Sequence, residues 1–148
     1  MALFTSFDIS ASGMTAQRRR TDIIAQNIAN VNTTRTEDGG VYRRKTVVFA
    51  EKGATADTFS SSLARASAGL AGNGVKVTAI TEDYETEMSL VYDPSHPDAD
   101  ENGYVTYPNV NVITEMTNLI DATRSYEANV TAFNASKAMA SKGLEIGQ

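Results

Sequence analysis

The chain has 148 residues, a hydrophobic fraction of 41% and a formal net charge of −5, which suits one small folded domain with extended terminal elements. It contains no cysteine, which excludes disulfides, thiolate metal sites and cysteine nucleophiles. No apolar run approaches the ~20 residues that span a membrane, and the N-terminus lacks a basic segment followed by an apolar run, so we expect neither a membrane span nor a cleaved signal peptide.

The first predicted element is an amphipathic helix over residues 4–31. Its apolar residues recur at intervals of three, four or seven, the spacing that places side chains on one helix face. A run of small and polar residues, 29–36 (ANVNTTRT), ends the pattern because such side chains compete for backbone hydrogen bonds. Gly13 interrupts the helix pattern and predicts either a break or a close backbone approach. We assign residues 1–35 to an N-terminal helical segment.

The middle of the chain, residues 36–107, is predicted to be a small irregular β insert. Its segments rich in β-branched and aromatic residues indicate short strands, and the Ala/Ser/Gly-rich stretch 52–74 indicates a flexible loop. No Lys or Arg occurs between Lys76 and Arg124, which argues against nucleic acid as a partner. The predicted strands are 41–50, 74–81, 90–92 and 104–107.

The last segment, residues 108–148, is predicted to be a single long helix. Pro108 ends the β region, Asn111 can cap the helix, and no proline or glycine follows until residue 143. A helix over 112–142 would be about 45 Å long, more than a compact domain of this size can cover. Its stripe should therefore pack on something else; the stripe comprises Ile113, Met116, Ile120, Thr123, Tyr126, Val130 and Phe133.

These elements predict an α+β fold, mainly α, in which long N- and C-terminal helices form an antiparallel coiled-coil-like pair around a small irregular β insert. Carboxamides such as Asn27 and Asn129 lie in the apolar seams of both helices. A buried Asn without a partner costs about 1–3 kcal/mol, so these residues should fix helix register. They could pin the helix pair within a subunit or pin helices of neighbouring subunits, and the helix lengths favour the second explanation.

The charged groups offer two further interpretations. Residues 98–103 (DADENG) match the first half of a calcium-loop pattern, but position twelve is Asn109 and no helices flank the loop, so a solvated acidic turn is the competing interpretation. Charged contacts are also possible between the basic strand and the acidic segment 82–101, involving Arg43, Arg44 and Lys45 on one side and Asp98 and Asp100 on the other.

No set of residues in the sequence predicts catalysis. His96 is the only histidine, and no Ser-His-Asp spacing or glycine-rich phosphate loop accompanies it. We therefore expect a protein that is not an enzyme and that has no cofactor, metal site or small-molecule substrate.

Several motifs resemble the flagellar rod and hook family, and within it the proximal rod proteins. At the N-terminal end these are residues 23–30 (IIAQNIAN), 32–36 (NTTRT) and 39–45 (GGVYRRK). Towards the C-terminal end they are residues 92–105 (YDPSHPDADENGYV), 108–111 (PNVN), 115–116 (EM) and 124–129 (RSYEAN). Each motif is weak alone, but their order and spacing together are specific.

The resemblance implies a structural subunit of the bacterial flagellar basal-body rod. Such proteins pass through the flagellar type III export apparatus without a cleaved signal peptide and assemble with copies of themselves and with other rod proteins into the periplasm-spanning shaft that transmits torque. Their terminal helices form the tube wall. The residues expected at subunit interfaces through helix packing are Ile24, Asn27, Ile28, Asn30, Val31, Asn32, Ile113, Met116, Ile120, Arg124, Tyr126, Asn129, Val130 and Phe133.

Two other classes of protein compete with this interpretation. A soluble coiled-coil adaptor would also carry terminal apolar helices, but it would form a discrete oligomer. A calcium-dependent binding module would require Asp98 and Asp100 as ligands.

Overall fold

The computed structural model describes residues 2–37, 39–52 and 73–146. Helix α1 spans Ala2–Ala29 and helix α2 spans Val112–Ile146. Both terminal helices are therefore present, and the fold is α+β and mainly helical, as predicted. Most of the predicted flexible loop, residues 53–72, lies outside the described residues.

The two helices pack antiparallel. The Phe7 and Phe133 rings meet edge to face with centroids 4.9 Å apart, and the Gly13 backbone lies against the Asn129 side chain. Near the other end of α1, the Asn27 side chain donates a hydrogen bond to Glu115. Residues later in α1 thus contact residues earlier in α2, which confirms the predicted antiparallel pair.

Helix α2 starts where the sequence predicts but ends later. The Asn111 side-chain oxygen accepts hydrogen bonds from the backbone N–H groups of Ile113 and Thr114 at 3.0 and 3.2 Å, which is an N-cap. The helix continues four residues beyond the predicted end at residue 142 and runs through Gly143 to Ile146. Its 35 residues correspond to about 53 Å at 1.5 Å per residue.

The described part of the insert contains two antiparallel strand pairs. Strand β1 (Lys45–Glu51) pairs with β2 (Val75–Glu82), and β3 (Ser89–Tyr92) pairs with β4 (Tyr104–Tyr107). All four predicted strands are present.

Strand β1 begins at residue 45, whereas residue 41 was predicted. The backbone before Lys45 bonds outside the strand pair, since the Tyr42 N–H donates to the Thr33 carbonyl at 3.3 Å and the Arg44 N–H donates to the Asn109 side chain at 2.9 Å. Residues 41–44 therefore join the insert to the rest of the chain.

The core of the described residues is small, and the polar side chains buried in it are as numerous as the apolar ones, five of each. Buried small residues let the two helices approach closely, and the remaining buried positions carry hydrogen-bonding groups that need partners. The buried apolar residues are Ala16, Ile24, Tyr42, Val105 and Ala122, and the buried polar residues are Ser10, Asn27, Asn109, Glu115 and Ser136.

Candidate functional site

Asn27 lies at the centre of a buried polar cluster where α1, the start of β1 and α2 meet. Its side chain is 0% exposed, and its Nδ2 donates to the Lys45 carbonyl at 2.8 Å and to Glu115 Oε2 at 2.9 Å. Its Oδ1 accepts from the Lys45 N–H at 2.9 Å and from the Tyr42 hydroxyl at 3.0 Å. Every hydrogen-bonding position of this carboxamide is thus satisfied within the chain.

Glu115 and Arg44 form the charged half of the same cluster. Arg44 Nε and one terminal guanidinium nitrogen each lie 2.9 Å from Glu115 Oε1, and the carboxylate is only 1% exposed. Asn118 Nδ2 donates to the same oxygen at 3.3 Å. The other Arg44 terminal nitrogen lies 3.6 Å from Asp83 Oδ2. A carboxylate this deeply buried requires such a counter-charge.

Asn109 attaches the connection between β2 and β3 to this cluster. Its Oδ1 accepts the Arg44 backbone N–H, and its Nδ2 donates to the carbonyls of Asp83 and Thr86 at 3.0 and 3.2 Å. Hydrogen bonds from the backbone and hydroxyl of Thr86, with the Glu85 N–H and the charge of Arg44, lower the pKa of the Asp83 carboxyl. We call the set Asn27, Tyr42, Arg44, Asn109 and Glu115 the polar joint.

Tyr42 completes the polar joint as a buried hydroxyl donor. Burial, followed by the negative charges of Glu82 and Glu115, raises the pKa of its phenol. The neutral form is therefore favoured in the folded chain, and that form is the one that donates to Asn27.

The predicted interface stripe of α2 divides between two surfaces. Ile113, Met116 and Ile120 are 78%, 55% and 54% exposed, and we call these three residues the outer face of α2. Tyr126 is 40% exposed at its border, and Arg124 is also exposed.

The later stripe residues turn towards α1. Val130 and Phe133 are half-buried, and Phe133 contacts Phe7. Asn129 is also half-buried: its Nδ2 donates to the Ser125 carbonyl at 2.8 Å, and its side chain occupies the space beside Gly13. Gly13 therefore marks a close approach of the helices and not a break.

The predicted interface residues near the end of α1 are mostly engaged within the chain. Ile24 and Asn27 are buried, so neither is available at the surface in this conformation. Asn30 is half-buried, donates to the Gln26 carbonyl and accepts the Thr33 hydroxyl, which closes the end of the helix. Of the other predicted residues here, Ile28 and Val31 are half-buried and Asn32 is exposed.

The three bases proposed for charged contacts each have a partner within the chain. Arg43 lies over the Tyr84 ring at 4.4 Å, and the Lys45 ammonium lies 5.6 Å from the Tyr42 ring centroid. Arg44 belongs to the polar joint, where it reaches Asp83 of the acidic segment.

Asp98 and Asp100 do not meet these bases. Asp98 accepts the Thr34 hydroxyl at 2.8 Å and lies 3.9 Å from the Arg35 guanidinium. Asp100 Oδ1 accepts the backbone N–H groups of Asn102 and Tyr104, which holds a turn. Within residues 2–37, 39–52 and 73–146, no three His, Cys, Asp or Glu side chains form a group that could hold a metal ion.

Neither described helix is both long enough and apolar enough to cross a membrane.

Glu115, Tyr42 and Asn109 were not among the predicted site residues. A signal for Glu115 exists, because Glu115, Ala122, Asn129 and Ser136 recur every seven residues and all lie on the side of α2 that faces α1. The members of this seam are small or polar, so it does not stand out as an apolar stripe. Tyr42 and Asn109 lie outside regular elements and show no such periodicity, although both fall within the motifs that resemble the rod and hook family.

Comparison with known proteins gives matches at both ends of the chain and over its whole length. Residues 7–35 match the family described as flagella basal body rod protein, and residues 101–146 match the flagellar basal body rod FlgEFG protein C-terminal family. The chain is 50% identical to the flagellar basal-body rod protein FlgC of Bacillus subtilis, with full coverage of both chains. It is 43% identical to FlgC of Borreliella burgdorferi, covering 99% of that protein, and 42% identical to FlgC of Salmonella typhimurium over both full lengths.

Proposed function

Because the chain belongs to the FlgC family of flagellar basal-body rod proteins and is a structural subunit of the rod, we propose that it assembles through helix surfaces left uncovered in the single subunit. The observation that carries this proposal is the outer face of α2, where Ile113, Met116 and Ile120 are more than half exposed. Three neighbouring apolar side chains on one helix face indicate a contact surface. Neither the coiled-coil adaptor nor the calcium-binding module is supported by the FlgC relatives.

The contact on the outer face should be between different surfaces of successive subunits. A contact between two identical patches closes a dimer, whereas a contact between two different patches repeats and generates a ring or a helical filament. The predicted interface residues of α2 that are exposed, and so available for it, are Ile113, Met116, Ile120, Arg124 and Tyr126. Ile24 and Asn27 are buried within the subunit, and we propose that they act by holding the helices in place.

The assignment of the outer face as a contact surface gives the segments of the chain different roles. We propose that residues 1–35 and 108–148 form the polymerisation core and that residues 36–107 form an insert attached to it through the polar joint. Copies of the chain and other rod proteins would be its partners. The polar joint has no free donor or acceptor on Asn27 and no water-accessible carboxylate on Glu115, which supports a structural role for these residues.

Family membership also supports a location and a delivery route for the chain. We propose that the subunit resides in the part of the rod that crosses the periplasm and passes through the flagellar type III export apparatus without cleavage of a signal peptide.

The assembly role of the outer face can be tested with Ile120→Asp. A carboxylate placed in an apolar contact must be desolvated, so incorporation into basal bodies should fall by at least about tenfold, equivalent to about 1.4 kcal/mol. Ala128→Asp is the matched control, because it adds the same charge at an exposed position of the same helix. Purified basal bodies would be probed for the chain by immunoblotting. Equal incorporation of the two variants and the unaltered chain would refute the assignment of this face.

A further inference from the structure

Strand β3 is uncovered on both of its faces. All four of its residues are exposed, including Leu90 at 66% and Tyr92 at 65%. Among the described residues it pairs only with β4, so its other edge has no strand beside it. The strand pair is held to the rest of the chain on the β4 side, where Val105 is buried, but the apolar side chains of β3 have no surface to pack on among the described residues. We call β3, β4 and their connection the hairpin.

The hairpin is flanked by an acidic segment in which only Asp83 and Asp98 have an ion-pair partner among the described residues. Residues 82–101 contain eight acidic residues and no Lys or Arg. Five of the eight accept hydrogen bonds from neighbouring side chains or backbone. The side chains of Glu85, Glu87 and Glu101 have no such bond in the described part of the chain and are exposed. Glu87 precedes β3 by two residues and Glu101 lies in the turn after it, so free negative charge flanks both ends of the strand.

A surface of opposite character lies elsewhere on the chain. Between α1 and β2 is a groove with a floor of small apolar side chains and a rim that includes Arg19, Lys52 and Lys76; among the described residues that line it, Asp8 is the one carboxylate. None of the ion pairs among the described residues uses any of these three bases. The floor comprises Ala11, Ala16, Val75 and Val77. We call this the basic groove.

We infer that the hairpin of one subunit docks in the basic groove of a second copy of the chain. The apolar strand residues would cover the apolar floor, and the free carboxylates would meet the free bases. Complementary charge of this kind selects the partner and fixes its register. The two surfaces differ, so the contact repeats from copy to copy and suits a helical assembly. The inference rests on the proposed function, because it requires that copies of the chain lie side by side in the rod.

The contact can be detected by disulfide cross-linking, because the chain has no native cysteine. Leu90→Cys and Ala11→Cys would be produced together in the same cells, each in full-length chains, and basal bodies would be purified and oxidised. A cross-link between these two positions on separate chains can form only between subunits. We expect a product of twice the chain mass. Leu90→Cys paired with Glu127→Cys, an exposed position on α2, is the control and should give a much lower yield.

Charge reversal tests the proposed chemistry of the contact. Arg19→Glu with Lys76→Glu, or Glu87→Lys with Glu101→Lys, should each lower the cross-link by about tenfold, the change that corresponds to about 1.4 kcal/mol. Chains carrying all four reversals should recover the cross-link, because the charges are again opposite. This recovery would also show that the reversed variants fold.

Each other outcome would overturn the inference. If the chains enter basal bodies but the hairpin and groove cysteines cross-link no more than the control pair, the docking is wrong and the proposed function stands. A cross-link insensitive to charge reversal, or a product of a mass other than twice that of the chain, would also overturn it. Absence of the unaltered chain from basal bodies would overturn both proposals.

Discussion

Replacing Glu115 by Leu should strongly destabilise the chain, because it removes the acceptor on which the polar joint depends. Glu115 receives hydrogen bonds from Asn27, from Arg44 and from Asn118, and it is 1% exposed. Leucine leaves the Arg44 guanidinium without its closest carboxylate and Asn27 Nδ2 with one bond fewer. Breaking a buried ion pair by removing one partner costs about 3–5 kcal/mol.

The lower end of that range applies here. The Arg44 side chain is 26% exposed, so its guanidinium can recover some hydration, and Asp83 remains 3.6 Å away. We therefore expect a loss of about 3 kcal/mol in the free energy of unfolding. Urea titration followed by far-UV circular dichroism and tyrosine fluorescence would measure it, since the chain has six Tyr and no Trp. Glu127→Leu, an exposed change on the same helix, should stay within about 0.5 kcal/mol of the unaltered chain.

A double-mutant cycle separates the ion pair from general damage to the helix. Arg44→Met together with Glu115→Leu removes both charges, so the double variant should be less destabilised than the sum of the single variants by at least about 1 kcal/mol. Additive effects would show that the two side chains do not interact. A loss below about 1 kcal/mol for Glu115→Leu alone would refute the structural importance of the joint.

Three further predictions concern the helix contact and the response to pH. A Cβ at Gly13 would lie 2.5 Å from Asn129 Oδ1. Gly13→Ala should therefore stabilise the chain by about 1 kcal/mol only when it is combined with Asn129→Ala. An equal effect of Gly13→Ala on stability in urea titrations with and without Asn129 would contradict this. The pKa of Asp83 is lowered from 3.8, so the contribution of Asp83 to stability is present above pH 3.8 and is lost as the pH falls through the folded-state pKa. The urea midpoint should therefore fall less on acidification in Asp83→Asn than in the unaltered chain. The pKa of Tyr42 is raised from 10.0, so the contribution of Tyr42 to stability is present below pH 10.0 and is lost as the pH rises through the folded-state pKa. The stability of Tyr42→Phe should therefore fall less in alkali than that of the unaltered chain. An identical fall in the two chains would argue against a buried phenol.

The helices and strands could be predicted because their patterns are local. The cap at Asn111, the short strands and the long uninterrupted tail all rest on residues adjacent in sequence. The two faces of α2 could not be separated in this way. The apolar stripe from Ile113 to Phe133 advances by about 3.3 residues a step, shorter than the 3.6-residue turn, so it winds about 160° around the helix from end to end. One stripe in the sequence therefore became an outer face at Ile113 and an inner face at Phe133.

The polar joint could not be predicted, because its members come together only in the folded chain. Asn27 was correctly expected to need partners, but those partners lie 15 to 88 residues away. The helix lengths favoured contacts of Asn27 with neighbouring subunits, whereas the structure supplies every partner from the same chain. An exposed-looking motif such as residues 43–45 (RRK) gives no indication that its middle residue enters a buried ion pair.

The polar joint also fixes the position of the hairpin relative to the outer face of α2, the two surfaces proposed for assembly. The outer face of α2 starts beside Glu115, and Asn109 ties the connection before the hairpin to the same cluster. Any rotation of the insert about the helices would displace the hairpin relative to the outer face, and a displacement repeated at each subunit of a helical assembly accumulates along it. A fully hydrogen-bonded cluster resists such rotation better than apolar contacts, because its bonds are directional and a broken bond leaves a buried group unsatisfied. We therefore expect Glu115→Leu to reduce rod assembly even in cells that contain normal amounts of the chain.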